Sequence, residues 1–344
     1  MKIGVVTTPV FRLGSTGLSG YGGLEHIAWQ CAVGLAKKGH NVTFFAPDGS
    51  DAPGCQLFHF GPERQIDEKT AFDKYWPHLL SQDVIISHDW QKYAYLLKAE
   101  GRLKCPVLGV CHAPIPGMFE KPPPVEKPCI VCISDDQRAH YEALHSPSKA
   151  RTCHNGVDGA VYRPLGLPRT DRYLFLARFS TIKGPNTAID ACKEVNAGLD
   201  MIGDTTITNE PALIQYCKKR ADGKRIRIVG NQLRGSCVWW MSQSKALLHT
   251  AKTFREPFGL APVEAQLCGN PVIAFDYGAC RETIKQGETG FLVENEKQLV
   301  RLLKDDAAST IKRERCREWA SQFSVDRMVR RYAELCEEAI AGGW

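Results

Sequence analysis

Apolar and polar positions follow two rhythms along this chain. Short consecutive apolar runs read as strands buried on both faces, and longer stretches with apolar residues three and four apart read as helices. Strands are predicted over 2–7, 41–46, 83–87, 106–111 and 129–133, with helices over 24–38, 71–80, 91–100 and 135–144. A short strand near 151 and a stretch rich in turn residues up to 172 interrupt the pattern. It then resumes with strands over 173–177, 199–202, 226–229 and 271–275, the segment GETGFLV at 287–293, and helices over 185–195, 211–220 and 260–267. In the last helix Val325, Met328, Val329, Tyr332, Leu335 and Ile340 share one face, a stripe that suits core packing. Strand and helix in alternation give a parallel, doubly wound sheet, and here the alternation occurs twice.

Length agrees, because 344 residues exceed what one core comfortably holds. The expected division is 1–165, 166–323 and a terminal helix over 324–344. No apolar run approaches the roughly 18–20 residues that cross a bilayer. The opening MKIGVVTT passes directly into a polar, glycine-rich loop, which points to a cytoplasmic protein without a leader. The 14 cysteines sit mostly singly inside apolar runs and read as reduced core thiols. Cys129 and Cys132 form a CxxC, but three residues along a strand place them on opposite faces and no second ligand pair follows, which argues against zinc. The net charge of +6 is spread out and its basic clusters lack interleaved aromatics, so no nucleic acid is expected as partner, while peripheral contact with a membrane surface stays open.

The chemistry gathers where strands end. In doubly wound sheets ligands bind beyond the carboxyl ends of the strands, where His88, Asp89, Trp90 and His112 fall. The glycines at 14, 17, 20, 22 and 23, between the first strand and first helix, let backbone approach a ligand, and Pro114–Pro128, with six prolines, is expected to be an extended or mobile loop over the same edge, near the acceptor. In the second half, Arg178 follows a strand and Lys183 precedes a helix, two cations suited to a diphosphate. Glu256 and Glu264 bracket the turn Pro257, Phe258 and Gly259 and the helix that opens at Leu260. That helix start is an anion site, and the two carboxylates can reach a sugar hydroxyl and a ribose diol. The pattern suggests a nucleotide sugar.

This glutamate motif, with GGLE at 22–25, HNGVD at 154–158 and ARFSTIKG at 177–184 in the same order, resembles the retaining glycosyltransferases of family 4, the glycogen-synthase-like group. The resemblance covers nearly the whole chain. It implies the B-type glycosyltransferase fold, two facing Rossmann-like domains about a central cleft, with the terminal helix crossing back to the first. It further implies that Arg178 and Lys183 hold the donor diphosphate, Glu256 the sugar and Glu264 the ribose. His112 would lie beside the sugar, and Gly22 and Gly23 would close on the phosphates. Two departures stand out: Gly203 is followed by Asp204, Thr205 and Thr206 where the family often has Gly-x-Gly, and Ala279 replaces a second glycine.

The reading that follows is a hexosyltransferase taking UDP-sugar, UDP-glucose ahead of GDP-mannose, to a hydroxyl of a sugar, lipid or small molecule. A front-face route is favoured, with the leaving diphosphate as base and neither cofactor nor metal. Two rivals are a nucleotide-sugar epimerase on the same paired architecture, which needs no acceptor, and a silent sugar or nucleotide binding protein, against which the intact Arg178, Lys183, Glu256 and Glu264 set speaks. A dinucleotide oxidoreductase fits less well, since GSTGLSGYGG lacks the fingerprint spacing and no acidic ribose ligand ends the second strand before Asp48.

Overall fold

A computed structural model describes residues 1–14, 22–115, 117–206 and 208–344. The chain forms two compact units, Met1–Gly156 with Val325–Trp344, and Val157–Ser324.

The first unit contains β1 (Lys2–Val6), α1 (Gly23–Lys37), β2 (Asn41–Ala46), β3 (Gln56–His59), α2 (Glu68–Leu79), β4 (Val84–Ser87), α3 (Ala94–Ala99), β5 (Val107–Cys111), β6 (Cys129–Cys132), α4 (Asp135–Leu144) and β7 (Ala150–Thr152). Its seven strands run parallel in the order β3-β2-β1-β4-β5-β6-β7. The winding reverses between β1 and β4, where Val6 lies opposite Ser87. The segments leaving these two strands therefore start side by side. Side chains such as Phe45, Phe60, Tyr75, Ile85 and Tyr141 fill one core, each worth about 1.5–3 kcal/mol when fully buried. Asp67 and Ser134 cap α2 and α4 by accepting from the third backbone N–H of each.

The second unit contains β8 (Arg172–Leu176), α5 (Pro185–Glu194), β9 (Gly198–Ile202), α6 (Pro211–Arg220), β10 (Ile226–Gly230), α7 (Arg234–Gln243), β11 (Leu247–His249), α8 (Leu260–Leu267), β12 (Val272–Phe275), α9 (Cys280–Thr283), β13 (Gly290–Val293), α10 (Glu296–Lys304) and α11 (Arg313–Ala320). Its parallel order is β10-β9-β8-β11-β12-β13, with the reversal between β8 and β11. Proline opens α5 and α6, where a missing N–H costs nothing.

The last helix, α12 (Val325–Ile340), belongs to the first unit and lies along α1. Gly34 of α1 makes the close approach: a Cβ there would fall 2.3 Å from Val329 Cγ2. Lys38 pairs with Asp326 at 3.1 Å beside it.

Several expectations need correction. Residues 157–165, assigned from sequence to the first domain, sit with the second unit, because Val157 bridges to Ser324 and Tyr162 is buried under Arg234. β3 and α7 were not predicted. The helix expected over 91–100 starts only at Ala94, because Lys92 adopts a left-handed backbone (φ 53°) at the end of a turn held by Asp89. The proline-rich loop carries more apolar anchors than its sequence suggested: Ile115 and Met118 are buried in the core, and His145 Nε2 lies 2.6 Å from the Phe119 carbonyl. Pro116 lies outside the described residues. Cys129 and Cys132 both lie in β6, buried and free. Among the described residues no helix is long and apolar enough to cross a membrane.

Candidate active site

In the second unit the reversal of strand order brings the segment after β8 against the segment after β11. Lys183 comes from the first and Glu256 from the second, 73 residues apart, and Lys183 Nζ donates to Glu256 Oε2 at 2.5 Å. The Thr250 hydroxyl ties the two segments together, lying 2.8 Å from the Gly184 carbonyl and 3.1 Å from that of Lys183. Gly184 is obligatory there, since its φ is +66° and a Cβ would lie 2.3 Å from the Thr250 carbonyl oxygen. Lys183 also stands over the Phe254 ring at 4.7 Å.

Glu256 is buried, and His249 Nε2 lies 3.4 Å from the same Oε2, in contact but without hydrogen-bond alignment. Burial by itself pushes this carboxyl's pKa up. The Lys183 charge, with His249 beside it, outweighs burial and holds the group well below the usual carboxylate range. Glu256 is therefore an anion.

Pro257 and Phe258 follow, both buried, and the Phe258 ring packs edge-on against Phe323 at 5.6 Å. Phe258 thus anchors the turn through its side chain. Gly259, left-handed at φ +82°, opens α8. The first-turn amides of Leu260 and Ala261 have no intrahelical acceptor, while Pro262 supplies none, so the anion site expected here has one donor fewer than an ordinary helix start.

Glu264 lies one turn further on and is buried at 5% exposure. Arg234 Nη2 donates to its Oε1 at 2.6 Å, and Arg234 Nε donates to the Tyr162 hydroxyl at 3.2 Å. Burial alone would lower the guanidinium's pKa, but Glu264 and then Tyr162 raise it, so the pair is ionic. Arg178 is half-buried, and among the described residues its guanidinium has no hydrogen-bond or ion-pair partner. Lys183 and Glu256 cancel each other's charge, as do Arg234 and Glu264, which leaves Arg178 as the uncompensated cation of the set.

In the first unit, Gly22 precedes α1 and Gly23 opens it. A Cβ on Gly22 would lie 2.7 Å from Glu25 Oε2. Glu25 is buried and accepts from the Thr8 hydroxyl at 2.5 Å. Of the loop's other glycines, Gly14 is described, while Gly17 and Gly20 fall outside the described residues. Beyond β4 and β5, His88 and His112 meet, with His88 Nδ1 2.8 Å from His112 Nε2. Asp89 is occupied by its own turn: its carboxylate accepts from the Ser87 hydroxyl and, at 2.8 Å, from the Lys92 backbone N–H. Trp90 is 44% exposed, and its backbone N–H donates to Glu68 at 2.9 Å.

Sequence reasoning missed His249, Arg234 and Tyr162. His249 stands at the carboxyl end of a strand, close to where the candidates of the first half stand, and that position was its signal. Arg234 opens an unpredicted helix, and Tyr162 lies in the turn-rich segment; neither carried one.

Residues 165–323 match the family described as glycosyl transferases group 1, and residues 21–160 match glycosyltransferase family 4. D-inositol 3-phosphate glycosyltransferase 1 of Catenulispora acidiphila is 25% identical, over 99% of this chain and 96% of its own. The D-inositol 3-phosphate glycosyltransferase of Mycobacterium tuberculosis is 24% identical over 85% and 72%. Among solved structures, sucrose-phosphate synthase from Thermosynechococcus elongatus superposes with a TM-score of 0.81 at 19% identity, covering 99% of this chain and 100% of that one. Anabaena HepE, solved with UDP and glucose, gives 0.74 at 18%, covering 98% and 99%. Two parallel-sheet α/β domains with these neighbours define the B-type glycosyltransferase fold, and the two family matches make the chain a glycosyltransferase. Within that class the chain belongs to the family 4 glycosyltransferases.

Proposed function

We propose that the protein transfers a hexose from a nucleoside-diphosphate sugar, UDP-glucose foremost, to a hydroxyl of a sugar, lipid or small-molecule acceptor, with retention at the anomeric carbon. The observation that carries this reading is the Lys183–Glu256 ion pair at the β8/β11 reversal, next to the start of α8 and in the same unit as Arg178, which has no ion-pair partner among the described residues. The solved complexes of HepE with UDP and with UDP-glucose support the choice of donor.

Lys183 engages Glu256 Oε2, which leaves Oε1 to accept from a sugar hydroxyl. Arg234 engages Glu264 Oε1 and Tyr162 bonds the same carboxylate, whose remaining lone pairs are assigned to a ribose hydroxyl. Arg178, Lys183 and the amides of Leu260 and Ala261 face the diphosphate, whose charge grows as the anomeric C–O bond breaks. Preorganised donors of this kind contribute about 3–4 kcal/mol each to the transition state. The acceptor oxygen bonds to the anomeric carbon on the face the diphosphate leaves, and its proton passes to a phosphate oxygen. No protein base and no bound metal takes part, and His112 serves the sugar by hydrogen bonding.

The test is incubation with a panel of UDP-, GDP-, ADP- and dTDP-sugars and candidate acceptors, with the product's anomeric configuration read by NMR. The expected product is an α-glucoside from UDP-α-glucose. A β-linked product overturns retention, and conversion of the nucleotide sugar without any acceptor favours the epimerase.

A further inference from the structure

β4 and β5 pair in parallel with Ser87 opposite Gly109, so His88 and His112, just beyond their ends, stand on adjacent strands. Their rings stack at 29° with centroids 5.1 Å apart, and His88 Nδ1 lies 2.8 Å from His112 Nε2. At that distance one nitrogen donates and the other accepts. Burial holds the pKa of both rings well below the ordinary histidine value, Lys92 pushing the same way, so each ring carries a single proton at neutral pH.

Two arrangements of those protons satisfy the contact. In one, His88 carries its proton on Nδ1 and donates to His112 Nε2, which leaves the His112 proton on Nδ1. In the other, His112 donates from Nε2 and His88 must hold its proton on its own Nε2. That second nitrogen is decisive. His88 is fully buried, and its Nε2 has no hydrogen-bond partner among the described residues. The second arrangement would strand an N–H donor inside the core, whereas the first leaves only an unpaired lone pair there. Orphaned buried N–H groups are the rarer of the two, an acceptor with an unused lone pair being tolerated more often.

We propose that His88 is a positioning residue that locks His112 in the Nδ1–H tautomer, so that His112 meets a ligand as a hydrogen-bond donor and never as an acceptor. What His112 donates to rests on the function proposed above. The tautomer does not.

The test uses the full chain labelled with ¹⁵N-histidine, the two rings being assigned from His88→Asn and His112→Asn spectra. Long-range ¹H–¹⁵N correlation reads which nitrogen of each ring is protonated. Expected for His112 is a protonated Nδ1 and a bare Nε2, unchanged between about pH 6 and 8, where an ordinary histidine titrates. His88→Leu removes the donor and loses the Nδ1–H preference. His88→Asn, whose amide can donate from the place of Nδ1, keeps it. In turnover with UDP-glucose, His88→Leu loses kcat about tenfold at little change in donor KM, the worth of one hydrogen bond, and His88→Asn recovers much of it. A protonated Nε2 on His112 in the wild-type chain overturns the proposal, as does an unchanged tautomer in His88→Leu. Should His88→Leu fail to fold, the wild-type and His88→Asn spectra decide alone. Absence of transfer from every nucleotide sugar would sink the function and leave the tautomer to be read as before.

Discussion

Lys183 and Glu256 lie 2.5 Å apart across 73 residues of chain, and both are largely enclosed. The carboxyl's pKa in the folded protein lies below its unfolded value of about 4.3, so its ionisation favours the fold above that pH and loses its contribution only as pH falls through the folded value. Wild-type kcat/KM should therefore show no acid limb from Glu256 between about pH 5 and 8. Lys183→Met removes the main counter-charge, and burial can then raise a carboxyl by up to about 3–5 units. The variant is expected to lose about 10²–10³-fold in kcat/KM and to gain an acid limb inside that window. A pH profile parallel to wild type would show that the pair is not what keeps Glu256 ionised.

Glu256→Ala separates sugar from diphosphate. With Oε1 assigned to a sugar hydroxyl, transfer should be abolished while calorimetry still finds UDP bound. Turnover at the wild-type rate in this variant would remove Glu256 from the sugar.

Arg234 shares the buried Glu264 with whatever hydroxyl the carboxylate binds. Arg234→Met leaves that carboxylate without its counter-charge, and hydrogen bonds to charged groups are worth about 1.5–3 kcal/mol. Donor KM should rise roughly tenfold to a hundredfold, with kcat nearly unchanged, the mark of lost uniform binding. In a Glu264→Gln background the same substitution should cost far less. Additive effects of the two would mean that Arg234 does not act through Glu264.

Both parallel sheets were legible in the sequence because their strands are buried on two faces and read as unbroken apolar runs. β3 escaped because it lies at the edge of its sheet and is mostly exposed, leaving no apolar run to find. α7 escaped because Gly235, Ser236 and the adjacent Trp239 and Trp240 give no helical periodicity. Phe258 was legible only as part of a motif, since its packing on Phe323 depends on a segment 65 residues away. The ion pairs were illegible for a related reason: Glu264 and Arg234 come from separate helices, Lys183 from a short 3-10 turn after β8 and Glu256 from the loop after β11, joined only by the order in which the strands assemble.

Gly34 offers a test of how α12 is held to α1. A methyl at this position would lie 2.3 Å from Val329 Cγ2, and Val329 is buried. Gly34→Ala should lower the melting temperature by several degrees, as overpacking costs about 1–3 kcal/mol. Val329→Ala in the same chain should restore part of the loss. If the double variant is no more stable than Gly34→Ala, the contact is not what limits the site.

Metal dependence can be tested through Arg178, whose guanidinium has no ion-pair partner among the described residues. A diphosphate leaving group needs positive charge opposite it, and either a divalent ion or the protein's own cations can supply this. Here Arg178 and Lys183 lie on the segment after β8, and the first-turn amides of α8 come from the neighbouring segment after β11, so the transfer is expected to proceed undiminished in EDTA. Arg178→Met should lose about 10²–10³-fold in kcat, and Arg178→Lys should recover only part, because an ammonium lacks the fork that grips two phosphate oxygens. Adding Mg²⁺ should rescue neither variant. Loss of wild-type activity on chelation, restored by a divalent ion, would hand the diphosphate to a metal and reduce Arg178 to an accessory charge.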